Sequence, residues 1–256
     1  MQVTLVPSAA GLKGLCPDQF LTSFLINDTV GLDAGCLGLY GSPAEQARVK
    51  HLLLTHSHLD HLASLPMLID NTYTGTGDCL TVYGSEEVLD SLRRDVFNNR
   101  LWPDFITMSR TQPPFVRLQP LEPGRTVEVA GLRVTPVPVN HVVPTLGYII
   151  EDDGAAVAFS SDTAPTDELW ERANRTPNLK AVFLEATFPE ALDWLAKLAY
   201  HLTPSRFAAE ARKLTRPVRL IAVHIKPRYH AQVVKELEAL GLPGLEIGLF
   251  GISYQF

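Results

Sequence analysis

A chain of 256 residues and 28.2 kDa, 46% hydrophobic and 20% charged, has the size of one large domain, 1–256, and enough apolar surface for its core; a disordered or fibrous protein is excluded. The net charge of −6 and pI near 5.7 leave no basic stripe to neutralise a nucleic-acid backbone, so long nucleic acids are poor partners. No run of about 18 apolar residues offers a membrane span, and the opening MQVTLVPSAAGLKG lacks the regions of a secretory leader, so a cytoplasmic protein is expected.

In chain order, β-rich runs at 3–6 and 20–26 lead to an Asn27-Asp28 turn and then to TVGLDAG, which predicts hairpin strands. PAEQARVK at 43–50 predicts a helical turn, followed by a buried strand at 51–55 that ends at a histidine. Ser85, with Glu86 and Glu87 behind it, caps a predicted helix that places Val88, Leu89, Leu92, Val96 and Phe97 on one core-facing side. RTVEVAGLRVTPVPV and LGYIIEDDGAAVAFSSD predict two further hairpins. Helices at 166–173, 204–214 and 231–240 then alternate with strands at 181–185 and 219–224. Two mixed β-rich halves with helices outside predict an α/β fold, a four-layer αβ/βα sandwich whose strand ends meet along one edge.

The densest chemical signal is Leu54-Thr55-His56-Ser57-His58-Leu59-Asp60-His61, three imidazoles and one carboxylate in six positions after an apolar strand. In an extended turn alternate residues point the same way, so His56 and His58 can share one metal while Asp60 and His61 face a second. A polar helix N-terminus capped by Asp60 explains such crowding poorly. Four residues cannot saturate two metals. His141, Asp162 and His224 each end a hydrophobic run and supply the remaining ligands. Zinc is the expected ion; imidazole and carboxylate also suit manganese or iron. Cys16, Cys36 and Cys79 lack the spacing of a zinc ribbon and read as free buried thiols.

His-x-His-x-Asp-His followed by a lone His, a lone Asp and a final His resembles the metallo-β-lactamase superfamily. The resemblance implies that His56, His58 and His141 hold one metal, that Asp60, His61 and His224 hold the other, and that Asp162 bridges them. It also implies that Asp33 orients a ligand histidine. Within the superfamily, HSHLDH at 56–61, VFNNRLWPDF at 96–105, LEATFP at 184–189 and HLTP at 201–204 are similar to the class II cyclic-nucleotide phosphodiesterases. Pro66 departs from that class, standing where its helix continues.

The function so implied is hydrolysis of 3′,5′-cyclic nucleotides, cyclic AMP or cyclic GMP, to 5′-monophosphates through a metal-bound hydroxide, with a small-molecule substrate. Asp60 counts among the catalytic residues as well as the ligands. The departing ribose oxygen needs a proton; His201 is the expected general acid, held by Glu185. Phe97, Asn98, Trp102 and Phe105 read first as packing and second as a cover for the base. His51 and His230 have no place in the set. The rival functions are tRNA 3′-processing by a related ribonuclease, hydrolysis of carboxylic esters, thioesters or lactams, and a non-enzymatic binding module. A homodimer is compatible with the sequence, which does not display its faces.

Overall fold

The computed structural model describes residues 1–8 and 20–256. Cys16 lies outside them. The strands are β1 (Gln2–Leu5), β2 (Phe24–Ile26), β3 (Val30–Leu32), β4 (His51–Leu53), β5 (Leu80–Gly84), β6 (Val116–Pro120), β7 (Val127–Val129), β8 (Leu132–Val139), β9 (Thr145–Glu151), β10 (Ala156–Phe159), β11 (Leu179–Glu185), β12 (Arg219–Val223), β13 (Leu245–Ile247) and β14 (Ser253–Gln255). They form two seven-stranded sheets, ordered β14-β1-β2-β3-β4-β5-β6 and β13-β12-β11-β10-β9-β8-β7.

The layers follow from where apolar side chains fall. Phe24, Phe159 and Phe183 meet with Val3, Ile26, Val134 and Tyr148 in one core between the facing sheets. A second core lies under the helices outside the first sheet, around Leu52, Leu65, Leu68 and Leu89. A third lies outside the second sheet, where Trp170, Phe207 and Leu237 bring in the helices Glu168–Arg175, Pro204–Ala211 and His230–Ala239. The result is the expected helix/sheet/sheet/helix sandwich.

Parallel pairing of β3 with β4, of β10 with β11 and of β11 with β12 aligns their carboxyl ends at one edge, where ligands collect in α/β sheets. Two bonds lock the sheets together beside that edge. Tyr148 Oη donates to the Leu54 carbonyl at 2.7 Å, and Leu146 N donates to the Thr55 carbonyl at 3.0 Å.

Some elements differ from expectation. Pro66 stands in the first turn of the helix Leu65–Thr72, where its missing N–H has no intrahelical acceptor to lose, so it opens a helix instead of breaking one. The helix capped by Ser85 spans Glu86–Ser91 and continues as a π turn over Leu92–Val96, with Phe97 N donating to the Leu92 carbonyl. The run 20–26 is strand only over Phe24–Ile26, because Thr22 leaves the sheet to donate its N–H to the Asp60 carbonyl at 2.7 Å. The Asn27-Asp28 turn is present, with φ of 48° and 58°.

Candidate metal centre

The predicted ligands stand in the segments that follow strand ends, Asp60 and His61 within the helical turn Leu59–Leu62, and the strands bring them together. His56, His58 and Asp60–His61 follow β4, His141 follows β8, Asp162 follows β10 and His224 follows β12. Two groups of ligand atoms, each mutually within 4.8 Å, cover the predicted ligands: His56, His58, His141 and Asp162, and Asp60, His61, Asp162 and His224. Asp162 belongs to both, and a third such group, Glu185, His201 and His224, adjoins them. Its Oδ2 lies 3.7 Å from His56 Nε2 and 3.3 Å from His61 Nε2, and its Oδ1 lies 3.3 Å from His224 Nε2.

The backbone is bent to aim these groups. Asp33, Ser161 and His224 adopt φ of 59°, 55° and 58°. A left-handed φ costs a non-glycine residue roughly 1–2 kcal/mol, and such strain clusters at functional sites where the surrounding fold enforces it.

A shell of hydrogen bonds fixes the tautomers. His61 Nδ1 donates to Asp33 Oδ2 at 2.7 Å. Thr55 Oγ1 donates to the same carboxylate at 2.9 Å, which leaves its oxygen to accept from His56 Nδ1 at 3.0 Å. His141 Nδ1 donates to the Tyr200 carbonyl at 3.1 Å. Thr187 Oγ1 donates to Glu185 Oε2 at 2.6 Å and accepts from His224 Nδ1 at 3.0 Å. With Nδ1 committed as a donor on four rings, each Nε2 is turned toward the cluster.

These ring nitrogens converge. His61 Nε2 and His224 Nε2 are 3.4 Å apart, His56 Nε2 lies 3.1 Å from His58 Nδ1, and His141 Nε2 lies 3.3 Å from the same atom. Asp162 Oδ1 is buried without a hydrogen-bond partner among the described residues. Imidazoles and carboxylates crowded this closely, with one buried carboxylate oxygen lacking a hydrogen bond, are stabilised by a cation among them, so the donor set fits divalent metal ions. No cysteine joins either group among the described residues. Cys36 and Cys79 are buried free thiols, and burial pushes the Cys36 thiol up to about 11.

The electrostatics agree. Burial and neighbouring imidazoles hold His56 well below the ordinary histidine range, and burial lowers His58 and His141, which favours the neutral, metal-binding form. Burial disfavours charge on Asp162, but His224 and His61 outweigh it and keep the carboxylate ionised. Asp60 is likewise held low, against its burial, by the His224 hydrogen bond and the His61 charge.

Glu185, the last residue of β11, and His201 form a buried pair beside both groups. His201 Nδ1 donates to Glu185 Oε1 at 2.8 Å. Thr163 N and Leu202 N also donate to this carboxylate, at 2.7 and 3.1 Å. Burial opposes a charged His201, but the Glu185 charge and hydrogen bond outweigh it and raise its proton affinity. The His201 ring lies 5.1 Å from that of His141 and 5.5 Å from that of His224.

Thr55, Thr187 and the Tyr200 carbonyl escaped the sequence reading. Thr187 had one available signal: it stands two residues past the strand-terminal Glu185, on the same side of an extended chain. Phe97 and Phe105 are buried in the core outside the first sheet, Trp102 packs against it, and Asn98 Oδ1 accepts from Arg100 N and Leu101 N to shape a turn. None of the four joins the ligand groups. His51 bonds Tyr83 at 3.1 Å, away from the centre.

Residues 31–225 match the model described as a beta-lactamase superfamily domain. The chain is 26% identical to a probable 3′,5′-cyclic-nucleotide phosphodiesterase of Yersinia pestis, with 90% of this chain and 80% of the relative aligned. It is 24% identical to ribonuclease Z of Bacillus subtilis over 75% of each chain. Among solved structures, unliganded yeast PDE1 superposes with a TM-score of 0.78 over 98% of both chains at 17% identity, a likeness of fold.

Proposed function

The chain belongs to the beta-lactamase superfamily, a metallo-β-lactamase-fold protein close to the class II cyclic-nucleotide phosphodiesterases, and from that premise we propose that it hydrolyses 3′,5′-cyclic nucleotides to 5′-monophosphates. His56, His58 and His141 would hold one divalent ion, Asp60, His61 and His224 a second, with Asp162 shared. Ions in these places supply Lewis-acid activation of water and neutralise charge on phosphoryl oxygens.

The observation that carries the reading is the buried Glu185–His201 pair. Hydrolysis adds water across a P–O3′ bond, and the ribose oxygen leaves as a strongly basic alkoxide unless it is protonated. Glu185 fixes the His201 ring through Nδ1 and raises its affinity for the second proton. That proton passes from Nε2 to the departing oxygen, and a proton of the added water restores the imidazolium. An activated ester, whose leaving group is weakly basic, has less need of such a donor.

Cyclic AMP and cyclic GMP turnover by purified, metal-analysed protein tests the proposal, with products identified and His56→Ala as control. Release of 5′-monophosphates, lost in the variant, is expected. No turnover with both metals bound would sink the cyclic-nucleotide reading.

The alignment with ribonuclease Z favours pre-tRNA 3′-end cleavage as a second reading. The net charge of −6 weighs against it, since a tRNA ligand calls for a basic footprint.

A further inference from the structure

Lys226 sits two residues beyond His224, its backbone N–H donating to the Thr187 carbonyl at 3.3 Å, so the segment is tied to the same threonine that orients His224. Its Nζ reaches back to Asp60 Oδ2 at 3.4 Å, while the side chain remains 38% exposed. It therefore bridges from solvent to the ligand cluster.

Other basic side chains on neighbouring elements are engaged elsewhere. Arg206 and Lys197 both pair with Asp193, Lys213 pairs with Asp167 and Glu210, and Arg228 lies over the Tyr229 ring. Among the described residues, Lys226 is the lysine or arginine ion-paired with a member of the two ligand groups.

That placement makes little sense for stability alone. Asp60 already has His224 Nε2 at 3.5 Å, and its carboxylate is a candidate ligand whose charge a divalent ion would take up. An ammonium next to a cation site is repelled unless an anion is present to share. It has three N–H donors and one long contact among them.

We propose that Lys226 is a specificity-determining residue that grips a non-bridging oxygen of an anionic phosphoryl group at the mouth of the site, selecting phosphodiesters and phosphate over neutral carboxylic esters. The proposal deepens the phosphodiesterase reading and rests on it for the substrate class. A charge-assisted contact to phosphate adds to binding without needing proton transfer.

The test is calorimetric binding of inorganic phosphate to metal-loaded wild-type, Lys226→Met and Lys226→Arg proteins, at low and high salt, with metal content measured in each. Lys226→Met should weaken phosphate binding about ten-fold, as loss of one charge-assisted bond predicts, with less penalty at high salt and with metal content intact. Lys226→Arg should keep most of the affinity. In parallel, KM for a phosphodiester should rise more than kcat falls, while hydrolysis of a neutral acetate ester should not change. Equal phosphate affinity in wild-type and Lys226→Met overturns the proposal, and so does metal loss in Lys226→Met, which would make Lys226 a prop for Asp60. Phosphate binding that depends on Lys226 in a protein that cleaves no phosphodiester would sustain the anion contact and sink the activity reading alone.

Discussion

Glu185 and His201 share a hydrogen bond of 2.8 Å in a buried pocket, and the same carboxylate is bonded by Thr187, the residue that accepts from His224. The proposed proton donor and a proposed metal ligand therefore hang from one carboxylate. Its four hydrogen bonds leave it little freedom to turn, so the geometry of both imidazoles is set before substrate arrives.

The first prediction concerns that donor. His201→Ala should lower kcat on a cyclic nucleotide by roughly 10²–10⁴-fold, the usual worth of general acid catalysis. It should cost far less on a p-nitrophenyl phosphodiester, whose leaving group needs no proton. Equal losses on the two substrates would assign His201 to positioning instead.

The pH profile follows from the direction of the shift. His201 is raised, so its active, protonated form persists above the ordinary histidine value and is lost as pH climbs through the raised one. Glu185→Gln removes the charge that raises it. The alkaline limb of kcat should therefore move to lower pH in Glu185→Gln, and a limb that stays in place would separate it from His201.

A third prediction concerns metal retention. Burial disfavours charge on His61, but Asp162 and Asp33 outweigh it and raise its affinity for a cation at Nε2, whether a proton or a metal ion. Protons thus compete with metal, and acidification should release it. His141→Ala should reduce metal content by about half and Asp162→Ala by more, because only Asp162 belongs to both groups. Plasma emission analysis after gel filtration reads the stoichiometry. Identical content in the two variants would argue against a shared carboxylate.

The positions of His56, His141, Asp162, Glu185 and His224 were legible because each ends a run of apolar residues, and a buried strand projects its next polar residue at the sheet edge. Thr55 and Thr187 were hidden by their own chemistry, since β-branched residues are ordinary in strands and nothing in one sequence separates a packing methyl from a bonding hydroxyl. The strands β13 and β14 were missed for a different reason. Each has three residues, too few for an alternating pattern, and β14 pairs with β1 from the other end of the chain.

The supporting shell gives a fourth prediction. Asp33→Asn keeps the volume but weakens the charge that accepts from both His61 Nδ1 and Thr55 Oγ1. Loss of such partners typically costs ten- to a hundred-fold in metal affinity. Competition with a chromophoric chelator should show that loss, with the circular dichroism spectrum unchanged. Unaltered affinity would mean that Asp33 shapes only the turn at φ 59°.

Gly35 carries the last prediction, which ties the fold to the centre. Thr22 N donates to the Asp60 carbonyl at 2.7 Å, and Gly35 N donates to the Thr22 carbonyl at 3.0 Å, so three chain segments meet where the metal loop turns. A Cβ on Gly35 would collide with the Asp60 carbonyl oxygen and lie 2.7 Å from both Thr22 N and Thr22 O. All are backbone atoms with no side-chain freedom to yield. Gly35→Ala should therefore destabilise by about 1–3 kcal/mol, as overpacking does, and should weaken metal retention by displacing Asp60. Gly154→Ala, whose added Cβ meets nothing nearer than an Asp152 oxygen at an ordinary 3.8 Å, should stay within about 0.5 kcal/mol of wild type. Thermal melts of both variants with and without added metal make the comparison. If Gly35→Ala melts like Gly154→Ala, the loop has slack, and the placement of Asp60 does not depend on this close approach.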